Sequence, residues 1–286
     1  MVWGPLIAVY LFLAGAAAGA YLAESFISFK YPTDKKTRRW GRIIVPVLLG
    51  VGLLMLMIDA EAGFKNPLRF FGLVNNPASV MTIGVYIICM FMPISLVVAV
   101  LELFHKNVPR WLDIIGDIGA VCLAGYTGFL LGDSLGVPLW HNSILPALFL
   151  VSALTSGIAI VSLLGFLGDE SEFEKMRALR PIHIVATILE LILIALMLFI
   201  AVGKGAAGAA SVEMILSGQY AVLFWLGLIG IGLVLPLALD VFTAGTANDH
   251  KAGALAVEAS GHACVLVGGF LLRFIVVMAG VTMILF

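Results

Sequence analysis

Residues 79–103 of the chain read SVMTIGVYIICMFMPISLVVAVLEL, and Glu102 is the only charged residue among them. About 20 apolar residues in a row are enough for a helix to cross the hydrocarbon core of a bilayer. In lipid the backbone must satisfy its own hydrogen bonds, and the run is far too long for a barrel strand. The stretch therefore predicts a transmembrane helix.

Seven other runs share this length and apolarity, so the sequence predicts an all-α integral membrane protein with eight transmembrane helices. The expected spans are roughly 4–29, 41–58, 79–103, 112–132, 142–167, 181–202, 219–239 and 262–285. The first run lacks the basic segment of a cleavable signal, so we expect it to be the first helix of the mature protein. Residues 203–218 are expected to form an outer connection, as a loop or as a surface segment.

The composition excludes a soluble globular domain. The chain has 286 residues, of which 62% are hydrophobic and 12% are charged, whereas soluble domains are about 45–50% apolar and about 25% charged. Lipid must therefore solvate much of the surface, so membrane lipid is an expected partner. The formal net charge of -1 and the absence of a basic patch argue against nucleic acid.

The positive charges predict the orientation. Twelve of the sixteen Lys and Arg residues fall on one side: Lys30, Lys35, Lys36, Arg38, Arg39, Arg42, Lys106, Arg110, Lys175, Arg177, Arg180 and Lys251. The other side carries Lys65, Arg69 and Lys204, and Arg273 lies within a span. Because cytoplasmic loops are enriched in Lys and Arg, we expect both termini outside, on the periplasmic side of a bacterial or archaeal cytoplasmic membrane.

Two of the expected helices resemble each other. Small residues recur at spacing four, such as Gly15 and Gly19 in the first helix and Gly157 in the fifth, and this pattern allows close helix approach. The likeness predicts two parallel four-helix bundles, one in residues 1–135 and one in residues 136–286.

Neither cysteines nor histidines predict a metal or haem site. Cys89, Cys122 and Cys264 stand far apart in apolar runs, so we expect no metal or iron–sulfur cluster in this protein. A membrane cytochrome b needs paired histidines at suitable depth. Only His183 and His262 share an edge, and neither is central in a span, so we expect no haem.

Polar side chains gather at the outer ends of the first four helices. They are Tyr10, Asp59, Ser79, Thr82, Tyr86, Tyr126 and Asp133. A quinone enters from lipid through its apolar ring and tail, and its carbonyls need hydrogen-bond donors and a proton carrier. We therefore predict a quinone site in which Asp59 carries a proton and Tyr126 donates a hydrogen bond. Tyr10, Thr82 and Tyr86 would lie beside the head group. The alternative is an interfacial aromatic belt with Asp59 exposed at a helix end.

Ionisable residues at membrane depth are costly and are candidates for function. Glu190 and Arg273 lie at matching depth near the middle of the sixth and eighth spans. They predict either a step in a proton path or a permanent ion pair that holds helices together. Asp117 and Glu24 lie inside the inner ends of their spans and would admit protons from the cytoplasm. Most other groups of this inner edge are expected to be solvated helix ends; they are Glu102, Asp113, His183, Asp240, Glu258 and His262.

Four stretches together resemble the NrfD/PsrC family, and they span nearly the whole sequence. They are Trp3 to Gly15 followed by Ala18 to Tyr21; Tyr126-Thr127-Gly128 with Leu130-Leu131; Trp140 with Leu145 to Phe149 and Ser152 to Gly157; and Gly268-Gly269 with Leu271-Leu272-Arg273. The resemblance implies a haem-free membrane subunit that exchanges electrons between menaquinone or ubiquinone and a four-cluster ferredoxin-type iron–sulfur partner. That partner would serve a catalytic subunit, often a molybdopterin enzyme.

The resemblance also implies a quinone pocket near the outer face of the first bundle, where Tyr126 matches the family's pocket tyrosine. One position departs from the family, because the polysulfide reductase relative has a histidine where this sequence offers Tyr10. Two other functions remain open: a secondary transporter or proton-conducting subunit, in which Glu190, Arg273 and Asp117 would act, and a passive anchor that tethers a catalytic subunit.

Overall fold

The computed structural model describes residues 3–31, 36–59, 78–165, 177–244 and 252–283. In these ranges the protein forms a series of helices, numbered here in chain order. They are α1 (Pro5–Lys30), α2 (Lys36–Asp59), α3 (Val80–Leu103), α4 (Arg110–Gly132), α5 (Leu145–Gly165), α6 (Arg180–Val202), α7 (Ala206–Leu216), α8 (π-helical over Leu223–Val234, then α-helical over Leu235–Ala244) and α9 (Ala252–Met278).

Within the described ranges, eight helices are long and apolar enough to cross a membrane, namely all except the short helix α7. The prediction of an all-α protein with eight membrane-spanning helices is thus confirmed. The loops that contain many of the counted cations lie outside the described residues, so the orientation stays a prediction.

The last two expected spans were misplaced. The eighth span begins ten residues earlier than expected, and α9 ends at Met278. Beyond it the backbone leaves the helix, and the N–H of Val281 donates to Oγ of Ser211 at 3.0 Å. The N–H of Met283 donates to the carbonyl of Gly136 at 2.8 Å. Apolarity indicates burial but does not distinguish a helix from an extended segment that pairs with a loop.

The seventh span was also placed too early, because α8 runs from Leu223 to Ala244. Part of the expected outer connection 203–218 forms the short helix α7, Ala206–Leu216. Its alanines favour helix strongly, and its buried face includes Val212 and Ile215. The segment is therefore a packed helix and not a loop.

The small residues of α1 and α5 lie at a close crossing of these two helices; their spacing indicated close helix approach but not which helices meet. A Cβ atom on Gly19 would overlap the backbone carbonyl of Ala153, and one on Gly157 would overlap the backbone of Gly19. Only glycine lets two helix backbones approach this closely. Apart from these contacts with α5, α1 also packs on α2, α4 and α9, so it is the central helix of the described structure.

Apart from the short helix α7, we group the helices into a first set, α1–α4, and a second set, α5, α6, α8 and α9. Helix α3 contacts α2 and α4, which both contact α1. Helix α5 contacts α6 and α9, and α8 contacts α9 and α6. Below, "outer" denotes the helix ends near Pro5 and Gly132, and "inner" denotes the ends near Lys30 and Arg180.

Candidate functional site

Tyr10 and Tyr126 lie inside the protein near the outer helix ends. Tyr10 is 1% exposed and Tyr126 is 6% exposed. Tyrosines of an aromatic belt face lipid and the interface. The burial of these two rings is therefore inconsistent with the aromatic-belt alternative.

Glycines on α2 and α3 make room for these rings. A Cβ atom on Gly84 would overlap the phenol of Tyr126, and one on Gly52 would lie 3.6 Å from Cδ2 of Tyr10. Thr82, half a turn before Gly84, is also buried. We call Tyr10, Thr82, Gly84 and Tyr126 the tyrosine site; it combines hydroxyl groups with an otherwise apolar environment.

Two other residues of the expected quinone site lie at its margin. The side chain of Tyr86 is 43% exposed, so it faces the lipid side of α3. Asp59 ends α2 and is partly buried, and a Cβ atom on Gly4 would lie 2.9 Å from its Oδ1. Its carboxylate therefore sits at the N-terminus of α1, where the helix dipole favours a negative charge.

A cavity of about 360 Å³ lies at the same end of the helices. Val80, Phe129 and Asp133 help to line it, together with Lys204. Tyr10 and Tyr126 are not among its lining residues. The tyrosine site is thus deeper than this cavity.

Charged residues of α1, α2 and α4 form a cluster near the inner end, which we call the inner cluster: Tyr21, Glu24, Arg42, Asp113 and Asp117. The buried Arg42 donates to Oδ1 of Asp113 at 2.8 Å, and its guanidinium lies over the ring of Tyr21, 4.7 Å from the centroid. Glu24 is fully buried and packs against α2. The structure thus brings Glu24 and Asp117 together around an arginine that the charge count had assigned to the solvated inner side.

Asp117 faces a cavity of about 720 Å³ at the inner end. The hydroxyl of Ser25 donates to its Oδ2 at 2.7 Å, while Oδ1 is buried without a hydrogen-bond partner among the described residues. Asp113 and Arg110 also line this cavity. Its polar wall could admit water to the inner cluster.

Arg273 is fully buried, and its donors are directed at three helices. Its Nε donates to the carbonyl of Leu11 at 3.2 Å. Its Nη1 donates to Oγ of Ser152 at 3.0 Å and to the carbonyl of Gly269 at 2.8 Å, and Nη2 approaches the carbonyl of Phe149 at 3.5 Å. These bonds tie α1, α5 and α9 together and compensate the arginine for its lost water.

Glu190 is also buried, but it does not pair directly with Arg273. No N–O distance of 4 Å or less joins the two side chains, although both are described. Instead, Oγ1 of Thr155 donates to Oε2 of Glu190 at 2.9 Å, and Ser152, on the same face of α5, binds Arg273. Hydroxyl groups of α5 therefore bridge the two charges that the sequence placed at one depth.

Several inner-edge residues were expected to be solvated, and this was wrong for most of them. Glu102, His183, Asp240 and Glu258 are buried. Nδ1 of His183 lies 2.6 Å from Oδ2 of Asp240, and Arg180 forms an ion pair with Glu258. We expected these residues to be solvated because they lie near helix ends. Neighbouring helices cover their side chains, and the sequence does not show this.

Sequence reasoning missed Arg42, Ser152 and Thr155 as members of polar networks. Arg42 was counted among loop cations, although it lies within α2. Ser152 and Thr155 lie in an apolar run and share a helical face, and a hydroxyl in such a run is the signal that would have marked them. Their acidic and basic partners sit on other helices, so only packing reveals the bridges.

Known proteins agree with the resemblance drawn from the sequence. The profile of the family described as "Polysulphide reductase, NrfD" matches residues 1–285. The C polypeptide of the polysulfide reductase of Wolinella succinogenes is 33% identical over 99% of the present sequence and 95% of its own length. Protein NrfD of Escherichia coli is 29% identical over 98% of the present sequence and 95% of its own length.

A further similar protein is the C component of the selenate reductase of Mesobacillus selenatarsenatis, at 25% identity over 85% of the present sequence and 67% of its own length. Two of these similar proteins are thus named as components of reductases. With a family profile that spans almost every residue and eight helices of membrane-crossing length, this chain is a multi-pass membrane protein that belongs to the NrfD family.

Proposed function

We propose that this protein is the quinone-reactive membrane subunit of a respiratory oxidoreductase complex. The observation that carries the proposal is the tyrosine site: tyrosine rings of α1 and α4 with hydroxyl groups are buried inside a member of the NrfD family. Buried hydroxyl groups in an apolar setting are what the carbonyl oxygens of a quinone need.

Each residue has an assigned role. Tyr126 donates a hydrogen bond to one carbonyl oxygen, and Tyr10 and Thr82 support the head group. Tyr86 lies at the lipid-exposed side of α3 and contacts the quinone where it enters. Asp59 exchanges a proton with the outer solution, since it is partly buried at the outer end of α2 and a carboxylate is a suitable proton carrier.

Oxidation of a quinol releases two electrons and two protons, and reduction of the quinone takes them up. The electrons need a partner, for which we propose a four-cluster ferredoxin-type iron–sulfur subunit on the outer face. That subunit would exchange electrons with a catalytic, molybdopterin-type subunit. Menaquinone and ubiquinone both fit the proposal.

The proposal also covers the arrangement of the helices and the orientation of the protein in the membrane. Residues 1–135 form a four-helix bundle with the quinone site, and residues 136–286 form a second bundle with a proton path. Both termini face outward from the cytoplasmic membrane of a bacterium or archaeon. Glu190 and Arg273 belong to this path in the second bundle, and Asp117 and Glu24 admit protons at the inner end of the first.

The experiment that tests the proposal is quinone turnover by the intact complex with Asp59→Asn. We expect turnover to fall by about tenfold or more, because a positioned proton carrier contributes at least that much, while the complex still assembles. The matched control is Glu213→Gln, an exposed carboxylate on α7, which should leave turnover unchanged. Unchanged turnover in Asp59→Asn would remove Asp59 from the mechanism.

A further inference from the structure

The second helix set contains a series of buried polar side chains that the quinone site does not use. We call it the polar column, and it consists of Ser152, Thr155, His183, Thr187, Glu190 and Arg273. His183, Thr187 and Glu190 recur at spacings of four and three along α6, so they share one buried face. Beyond Glu190 the same face continues with Ile194, Met197 and Leu198. This face of α6 is thus polar from the inner end to Glu190 and apolar beyond it.

His183 stands at the inner end of the column. It is 1% exposed, and Nδ1 lies 2.6 Å from Oδ2 of Asp240 on α8. Its Nε2 is buried with no hydrogen-bond partner among the described residues. A ring with one nitrogen bound to a carboxylate and the other unbound can accept a proton on one side and release one on the other.

Charged and titratable groups surround this histidine from each helix that packs on it. His262 of α9 contacts the ring of His183 edge to face, with centroids 5.7 Å apart. On the same side, Arg180 of α6 pairs with Glu258 of α9. Asp240, with 8% of its surface exposed, lies on the side of α8. The ring of His183 is thus enclosed by polar groups of α8 and α9.

His183 and Glu190 are too far apart for direct proton transfer, so intermediate carriers are needed. Seven residues separate His183 from Glu190, a rise of about 10 Å in a helix. The buried hydroxyl of Thr187 divides this rise into two steps of about one turn each, and a single water can bridge each step. At the far end, Oε1 of Glu190 is buried without a hydrogen-bond partner among the described residues, so it is free to receive a proton.

We propose that the polar column is a proton half-channel open to the inner side, with His183 and Asp240 as its proton-uptake pair and Glu190 as its terminus. A proton from the inner solution binds Asp240 or the imidazole of His183. The imidazole then releases one proton, which moves past Thr187 to the carboxylate of Glu190. One proton enters and one leaves the ring, and no electron moves. The proposal rests on the proton path of the proposed function and adds its uptake site.

Arg273 gives the half-channel a contact with the first helix set. It binds Ser152 next to Thr155, the donor to Glu190, and it binds the carbonyl of Leu11, the residue after Tyr10. A change in the charge of Glu190 therefore acts on an arginine that holds the helix of Tyr10. Arg273 of the polar column thus binds α1 one residue away from Tyr10 of the tyrosine site.

The test is hydrogen–deuterium exchange at Glu190, measured by infrared spectroscopy on the full-length protein in lipid nanodiscs. The carboxylic C=O band that disappears in Glu190→Gln identifies the residue, and its shift after transfer to D₂O gives the exchange rate. In His183→Gln we expect this rate to fall by about tenfold or more, the scale on which a positioned acid–base group acts. Asp240→Asn, which keeps a hydrogen-bond acceptor beside His183, should slow exchange in the same direction.

The matched control is His105→Gln, since His105 is exposed at the inner end of α3 and binds Arg39 instead. Its exchange rate should equal that of the unaltered protein. Equal rates in His183→Gln and Asp240→Asn would overturn the proposal, as would the absence of any band that responds to Glu190→Gln. Because the band reports the protonation of Glu190 and not quinone turnover, a complex without quinone activity would disprove the proposed function and leave this result standing.

Discussion

The two helix sets of this protein place their polar residues at different depths. In α1–α4, polar groups lie at both ends, in the tyrosine site and the inner cluster, and the layer between them is packed with residues such as Ala17, Phe91 and Ala124. In α5, α6, α8 and α9, the polar column extends from the inner end along α6 to Arg273, which lies five residues before the end of α9. The first set thus has buried apolar side chains between its two polar ends, whereas the second set has polar side chains across the middle of the membrane.

This difference shows how a membrane protein can bury charge. Arg273 is compensated by carbonyl oxygens and a hydroxyl from three helices, so its position depends on helix packing as much as on a partner charge. Buried apolar residues separate the tyrosine site from the inner cluster in the first set. Among the described residues, Arg273 of the polar column contacts α1 at Leu11, next to Tyr10.

The largest effect is expected from breaking the contact that joins the two sets. In Gly19→Leu, the new side chain meets the backbone of α5, so we expect a loss of about 3 kcal/mol or more and little assembled protein. Gly125→Leu is the control, because a Cβ atom at Gly125 has nothing within 4 Å. Thermal unfolding of the purified protein measures both. Equal stability of the two variants would contradict the close α1–α5 crossing.

A smaller effect is expected from Arg273→Met. It leaves the carbonyl of Leu11 and the hydroxyl of Ser152 without their donor, and we expect a destabilisation of about 2 kcal/mol. The matched variant Arg110→Met, at the exposed start of α4, should change stability by less than about 0.5 kcal/mol. Chemical unfolding in mixed micelles compares them. If Arg273→Met is as stable as the unaltered protein, Arg273 does not tie the helix sets together.

Tyr126→Phe is expected to change the stability of the fold least. It should nevertheless lower quinone turnover clearly. It removes one hydroxyl from the tyrosine site, and the loss of a hydrogen bond worth about 1.4 kcal/mol corresponds to about a tenfold decrease in quinone turnover. Tyr86→Phe removes the same group at the lipid-exposed margin and should lower turnover less. Steady-state kinetics of the intact complex with a soluble quinol analogue measures both. A passive anchor predicts no change in either variant.

The sequence predicted the number and type of the spans because apolar length is a local property. It showed small residues at spacing four in α1 and α5, but not that these two helices cross each other. It misplaced the end of α9, because residues 279–283 continue an apolar run but pair with a loop and with α7. It treated His183 and Asp240 as solvated, since the sequence alone does not show which neighbouring helix covers a helix end.

The candidate site shows the same division. Tyr10 and Tyr126 could be selected by residue type and depth, but a tyrosine at that depth is compatible with either a lipid-facing belt or an interior site. Only the packing of Tyr126 on Gly84 and of Tyr10 near Gly52 places both rings inside. Glu190 and Arg273 could likewise be matched by depth, but the hydroxyl bridges of α5 depend on how three helices are rotated.

By itself, the sequence determined that this protein crosses a membrane as a set of helices, because the cost of exposing an unpaired backbone to lipid leaves no other structure for such apolar runs. In spans whose ends it placed correctly, it also determined the depth of each ionisable residue, because a helix rises by a fixed distance per residue; the depth of Arg273 was wrong because the eighth span was misplaced. The tertiary structure alone decided which of these residues face each other. Depth is one-dimensional, whereas contact requires the rotation and neighbours of each helix, which are set by long-range packing.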